Sequence, residues 1–241
     1  MEADVAHLQE RISSLEARLA QREAELALCR GNAPSRPTAT EQLLNIRCEV
    51  VNDLARELEG LDEKSIMQRS LQVAEELTGS TISFTHFIND DERTIELATW
   101  SKRTLHEYCS AAFDQHYPIE KAGIWADAIR KHEPVVFNDY AGYSAKCGLP
   151  EGHAHLERLV SVPVFDDGRI VVLTGVGNKP DDYTEIDVQT VKLVSSAMWR
   201  QIKHRRARKH LETLYEAAPV GIGLLINRVF VDINPYFCRM I

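Results

Sequence analysis

The chain has 241 residues, 44% of them hydrophobic, and a formal net charge of −8. That length suggests one or two domains with a real core, and the acidic balance argues against nucleic acid as a partner. No apolar run approaches bilayer length and no secretory signal opens the sequence, while five scattered cysteines without Cys-x-x-Cys spacing read as reduced thiols, so a cytoplasmic protein with no membrane partner is expected.

Residues 1–30 differ from the rest. Val5, Leu8, Ile12, Leu15 and Leu19 are spaced 3-4-3-4 and Leu26 resumes the pattern, which is an a/d seam interrupted by Arg22. So narrow a stripe predicts a coiled coil with a partner helix, most simply a second copy in parallel; the alternative is a helix packed on its own domain. Residues 31–40, with Pro34 and Pro37, read as a linker. A helix is predicted over Glu41–Glu59 with Leu43, Leu44, Val50, Val51, Leu54 and Leu58 inward. A second is predicted over Glu63–Thr78, stopped by Gly79.

The sheet is expected to begin at Thr81–Ile88, where Ile82, Phe84, His86 and Ile88 share one face. His86 is then either a hydrogen-bonded core histidine or a pocket-lining one. Asn89-Asp90-Asp91-Glu92 turns the chain and Arg93–Trp100 returns. Residues 101–118 read as a helix or long loop over the sheet. A helix opens at Ala122-Gly123-Ile124-Trp125 and runs to about Lys131, and Val135–Phe137 is a short buried strand. Asn138 and Asp139 follow it, either as turn caps or as ligand contacts.

From Gly148 to Arg158 the sequence is irregular and polar, with Gly148, Pro150, Gly152, His153, His155 and Arg158. Such a loop beside buried strands is a common way to build a small-molecule pocket. Arg158 reads equally as a loop tie to Glu151 or Asp139. Leu159–Phe165, the turn Asp166-Asp167-Gly168 and Arg169–Val176 predict a hairpin. Thr184 with Asp187 predicts an acidic capping box. It opens a long helix with Ile186, Val191, Val194, Met198 and Ile202 on one face, ending at Pro219. The run Lys203 to His210 within it is basic and reads as a solvated helix face. A strand over Ile226–Val231 and a helix from Pro235 close the chain.

Taken in order, Ala122-Gly123-Ile124-Trp125, Asn138-Asp139-Tyr140, Leu149-Pro150-x-Gly152-His153, Arg158, Val162-Pro163-Val164 and Gly175-Val176-Gly177-Asn178-Lys179 closely resemble GAF domains of bacterial sensory proteins. Asn178-Lys179 with Tyr183 and Asp187 resembles the Asn-Lys…Phe-x-x-x-Asp-Glu signature of GAF domains in cyclic-nucleotide phosphodiesterases. It departs from that signature at Tyr183, in place of Phe, and at Val188, in place of Glu. The tail Leu214-x-x-Ala217-Ala218-Pro219-Val220-Gly221-Ile222, with Ile233-Asn234-Pro235-x-Phe237, resembles the start of a PAS domain. A piece cut from a longer polypeptide is therefore expected, with an effector domain beyond Ile241.

The resemblance implies an α+β fold, a GAF-type antiparallel sheet with helices on its faces. Long helices would flank it, an N-terminal coiled coil on one side and a C-terminal signalling helix on the other. The implied domains are 1–30 coiled coil, 31–40 linker, 41–205 GAF sensor domain, and 206–241 signalling-helix end with a truncated PAS start. It implies a ligand site at Trp125, Asp139, Tyr140, His153 and Arg158, with His86 added from the strand pattern. The ligand is an unidentified small molecule, with a cyclic nucleotide or haem ranked below; no metal site is expected, since Cys147, His153 and His155 match no familiar zinc spacing. No Gly-x-Ser-x-Gly, Gly-x-x-x-x-Gly-Lys or His-Glu-x-x-His appears, so no enzyme activity is expected of this stretch. The expected function is a homodimeric sensor that passes ligand occupancy through its helices to a histidine kinase or diguanylate cyclase output. The alternative is a dimerisation scaffold with a vestigial cavity.

Overall fold

A computed structural model describes residues 38–104, 117–143 and 155–240. The expected seam over 1–30, most of the linker, His153 and most of the loop around it lie outside the described residues. By internal packing the chain divides at residues 43 and 44; of the first unit only 38–43 are described, the opening of helix α1 (Ala39–Glu57).

Within the second unit, α1 turns Val51, Leu54 and Leu58 into the core. Val50, expected inward, is exposed instead. The inward row runs 47-51-54-58 at helical spacing, and it is Arg47, not an aliphatic residue, that takes its upper place, 8% exposed. Helix α2 (Glu63–Thr78) begins on an Asp62 cap, which accepts from the Ser65 N–H at 2.8 Å. It ends on Gly79 at φ 71°, a left-handed position that glycine holds without a Cβ clash.

Six described strands form one antiparallel sheet, in the order β3-β2-β1-β6-β5-β4. They are β1 (Ile82–Ile88), β2 (Thr94–Trp100), β3 (Tyr117–Pro118), β4 (Val135–Phe137), β5 (Leu159–Asp166) and β6 (Arg169–Gly177). The central β5–β6 hairpin turns on Asp167 at φ 50° and Gly168 at φ 80°. Two successive positive φ values match the right-handed twist of the flanking strands. The helix expected to start at residue 122 is divided in two: a single 3₁₀ turn over Ile124–Ala126, then helix α3 (Asp127–Lys131).

Each face of the sheet carries its own core. On one, α1, α2 and the 33-residue helix α4 (Glu185–Ala217) pack over Val160, Val162, Val164, Val172 and Val176. On the other, Ile82, Phe84, Leu159 and Leu173 meet Ile119, Ile124, Ile129, Tyr140 and Leu156. Strand alternation feeds both. The fold is thus α+β, with helices on a mixed-order antiparallel sheet.

α4 opens on the expected capping box of Thr184 and Asp187. One face of it is buried as far as Ile202; from Lys203 to Leu214 every residue is exposed. The tail is a hairpin, not the single strand expected: β7 (Gly223–Ile226) and β8 (Val229–Ile233) turn on Asn227 and Arg228, both at positive φ. Asn-Arg lacks the glycine that marks such a turn in sequence. Helix α5 (Pro235–Met240) follows. Among the described residues no helix is long and apolar enough to cross a membrane.

Candidate functional site

The candidate site is built on the sheet face away from α4. β1 sends Phe84 and His86 to that face, and β2 brings Trp100 opposite Phe84. The 3₁₀ turn at Ile124–Ala126 lays Trp125 over them. The Trp125 and His86 rings stack, with centroids 4.5 Å apart and planes 14° from parallel. Phe84 meets Trp100 at 5.3 Å and Trp125 edge-on at 5.8 Å. Such offset and edge contacts suit the ring quadrupoles.

Two backbone features set this up. Between β1 and β2 the pairing jumps from Thr85–Thr99 to His86–Leu97, leaving Ala98 as the extra residue of a β-bulge. A bulge bends its strand and re-aims a side chain, and this one falls at His86. The second feature is Gly175, which pairs with Phe84 across β1 and β6. A Cβ there would stand 2.2 Å from Phe84 Cζ, so the tip of the phenyl ring takes this position only because residue 175 has no side chain.

Electrostatically the face is neutral among the described residues that form it. His86 is 4% exposed, and burial pushes its imidazole down to about 3 from an ordinary 6.5. At neutral pH it is an uncharged ring able to donate from one nitrogen and accept at the other. Tyr140, 3% exposed, closes the same face; a Cβ on Gly123 would meet Trp125 Cδ1 at 3.1 Å and Tyr140 Oη at 4.0 Å. Ser161 Oγ is fully buried on this face and has no hydrogen-bond partner among the described residues.

His86, Trp125 and Tyr140 are therefore brought together. Two other expected residues are placed elsewhere. Asp139 is exposed and accepts the Gly142 N–H at 3.0 Å, a turn-capping role. Arg158 points to Asp182 (3.3 Å), Glu157 (3.5 Å) and the Lys179 carbonyl (3.4 Å). It is a loop tie, as the alternative reading had it, but its partner Asp182 lies in the β6–α4 connection and is not Asp139. His153 lies outside the described residues. Phe84 and Trp100 were not expected as site residues. The alternation that placed His86 also placed Phe84, but Trp100 joins only through the hairpin register.

The phosphodiesterase-like residues have a different position and task. Asn178, at φ 59°, accepts the Glu157 N–H at 2.9 Å and donates to the His155 carbonyl at 2.7 Å. Lys179 pairs with Asp187 at 2.7 Å. Tyr183 Oη bonds Ser80 Oγ at 2.7 Å, and burial raises this phenol to about 12. Together they join β6, α2 and the start of α4 and touch no ring of the aromatic cluster.

A second buried carboxyl went unnoticed in the sequence. Glu75 of α2 is 5% exposed and accepts from Ser83 Oγ at 2.7 Å and Ser101 Oγ at 2.5 Å. Burial raises its pKa, opposed by those hydroxyls. It borders a groove of about 980 Å³ lined also by Lys64, Arg69 and Lys102. Arg69 is paired there with Glu57 at 2.9 Å.

Comparison with known proteins agrees with this architecture. Residues 60–203 match the GAF domain family. The Methyl sulfide methyltransferase-associated sensor of Methanosarcina acetivorans is 36% identical over 159 residues, 65% of this chain; the aligned stretch spans 16% of that protein's length. Among solved structures, the GAF domain of an Acinetobacter phosphoenolpyruvate-protein phosphotransferase superposes with TM-score 0.56 at 13% identity, over 68% of this chain and 96% of that one. The free methionine-R-sulfoxide reductase of Neisseria meningitidis, in complex with its substrate, gives 0.54 at 14%, over 68% and 93%. At those identities the structures speak for the fold alone, whereas the family match covers more than half of the sequence: the chain belongs to the GAF domain family.

Proposed function

We propose that this chain is the sensory part of a signalling protein. A cytosolic small molecule would bind at the aromatic face, and occupancy would alter the packing of α1 and α4. The observation that carries this reading is the gathering of Phe84, His86, Trp100 and Trp125 on the sheet face that α4 leaves alone. Four rings at one spot, with a neutral histidine among them, favour a flat, largely uncharged ligand over an anion. A cyclic nucleotide and haem therefore stay below an unidentified apolar molecule. The name of the Methanosarcina relative, a sensor, is in keeping with this.

In the same reading residues 1–30 form a coiled coil, 31–40 a linker, 41–205 the sensor domain, and 206–241 the end of a signalling helix and the start of a PAS domain. The protein works as a cytoplasmic homodimer through its helices, without nucleic acid or membrane. Its output is a histidine kinase or a diguanylate cyclase, and residues 1–241 are regulatory, not catalytic. Ligand binding transmits a signal only if it favours one helix arrangement over another.

One observation favours the second reading, a dimerisation scaffold: His86 and Trp125 already stack on each other. Native mass spectrometry of the purified protein separates the two. The sensor reading expects a bound small molecule that Trp125→Ala loses while the circular dichroism spectrum is kept. A protein that never carries one, and whose sheet unfolds when Trp125 is truncated, would be the scaffold.

A further inference from the structure

Where α4 leaves the core, three cations of its exposed basic run bond back to the body of the domain. Lys203 Nζ donates to Asp166 at 2.8 Å, Arg205 to the Leu61 carbonyl at 2.9 Å, and Arg206 to Glu63 at 3.2 Å through Nε and again through a terminal nitrogen. The Arg206 guanidinium lies 4.7 Å from the centre of the Phe87 ring and 5.8 Å from that of Trp199. Trp199 Nε1 donates to Asp166 at 3.0 Å, and Phe87 and Trp199 meet at 6.3 Å.

These contacts grip the sheet at two places, and both are irregular. Phe87 is the neighbour of His86, on the opposite face of β1, beside the bulge at Ala98. Asp166 ends β5 beside a second bulge, where the pairing jumps from Val164–Val172 to Phe165–Ile170. A bulge leaves one residue unpaired and interrupts the ladder locally, so at both places the strand is held by fewer hydrogen bonds than elsewhere. Successive residues of a strand point to opposite faces, so a displacement of His86 under Trp125 moves Phe87 under Arg206. Ile202 is the last buried residue before twelve exposed ones, so the clasp sits where the helix passes from core to solvent.

We propose that Phe87, Asp166, Trp199, Lys203 and Arg206 form a two-point clasp that hands movement of the aromatic face to the emerging half of α4. The inference rests on the reading that the aromatic face is the sensing side. Exposed ion pairs contribute little alone, so the cation–π contact of Arg206 and the Trp199 hydrogen bond carry most of the grip.

Backbone hydrogen exchange of the full chain, followed by mass spectrometry, tests this without any ligand. Trp125→Ala is expected to speed exchange of amides 199–210 threefold or more while α2 stays within twofold of the parent. In an Asp166→Leu/Arg206→Gln background, which leaves Trp199 and Lys203 no acceptor at residue 166, the same substitution should add less than twofold. Where Trp125→Ala does not fold, Trp125→Phe is read in the same way. Unchanged exchange at 199–210 in a folded variant overturns the clasp, and so does an equal rise with the clasp removed. A protein that shows this coupling yet binds no small molecule would keep the clasp and lose the sensing role, and the reverse pair of results would do the opposite.

Discussion

Lys179 Nζ lies 2.7 Å from Asp187 Oδ2, and this one carboxylate also caps α4 by accepting the Thr184 N–H at 2.9 Å. Arg47 stands 3.6 Å from its other oxygen. The Asp187 side chain is 2% exposed and that of Lys179 19%, so neither is well screened by water. The phosphodiesterase-like signature is therefore a brace between β6, α1 and the head of α4, on the far side of the sheet from the rings.

Asp187→Ala should accordingly destabilise the fold by about 3 kcal/mol, since it strands two partly buried cations and removes a helix cap. Burial pulls the Asp187 pKa up, but the Lys179 and Thr184 hydrogen bonds outweigh it and hold it below 3.8. Its contribution is thus present above pH 3.8 and lost as pH falls through the lower folded value. Urea unfolding at pH 7 checks the magnitude; a loss below about 1 kcal/mol would mean the pair is not a brace. Ligand capture, where the protein folds, should be unaffected.

His86 predicts a pH dependence of the opposite face. Its folded pKa of about 3 lies below the ordinary 6.5, so between those values the unfolded chain binds the extra proton. Stability should then fall as pH drops through this window, with a slope near 1.4 kcal/mol per unit from this group. Glu75 works against it: burial raises its pKa above 4.5, so its contribution is lost as pH rises through the folded value. The clean measurement is the difference between the parent and His86→Gln. Unfolding free energies at pH 7 and 5 should converge for the variant and diverge for the parent; parallel losses would place the titration elsewhere.

Much of this was legible in the sequence because it is local. The α2 boundaries, the Asp-Gly hairpin turn, the Thr184 capping box and the shared face of Phe84, His86 and Ile88 each follow from spacing over a few residues. What was not legible is set by partners far apart in the chain. Arg47 faces the core because Thr190, Asp187 and the Leu77 carbonyl await it, while Val50 on the same helix meets none of them. Arg158 chooses Asp182 for the same reason. The basic run is a solvated helix face, exposed throughout, but nothing local reveals that Asp166 lies within reach of Lys203, or Phe87 and Glu63 within reach of Arg206.

Gly175 offers a test of the aromatic face that depends on volume alone. A methyl group at this position would meet Phe84 Cζ at 2.2 Å, closer than any real contact, and the ring has Trp100 and Trp125 on its other sides. Gly175→Ala should cost about 1–3 kcal/mol through overpacking. Adding Phe84→Leu should recover part of that loss, because the smaller side chain vacates the space the methyl needs. The two changes touch, so their energies should be non-additive by at least 0.5 kcal/mol. Simple additivity in thermal or urea unfolding would show that the strand had moved instead of the ring.

Asn178 separates backbone strain from hydrogen bonding. Its φ of 59° is left-handed, where asparagine and glycine are tolerated and alanine is strained. Its side chain also ties the His155–Arg158 segment through two hydrogen bonds, its Oδ1 accepting the Glu157 N–H and its amide donating to the His155 carbonyl. Asn178→Gly keeps the conformation and loses both bonds, at about 1–2 kcal/mol. Asn178→Ala loses the bonds and adds strain of about 1 kcal/mol. Alanine should therefore be the worse replacement, although glycine leaves the unfolded chain freer. If glycine proves as damaging as alanine, the hydrogen bonds alone fix residues 155–158 against β6, and the left-handed turn follows from them.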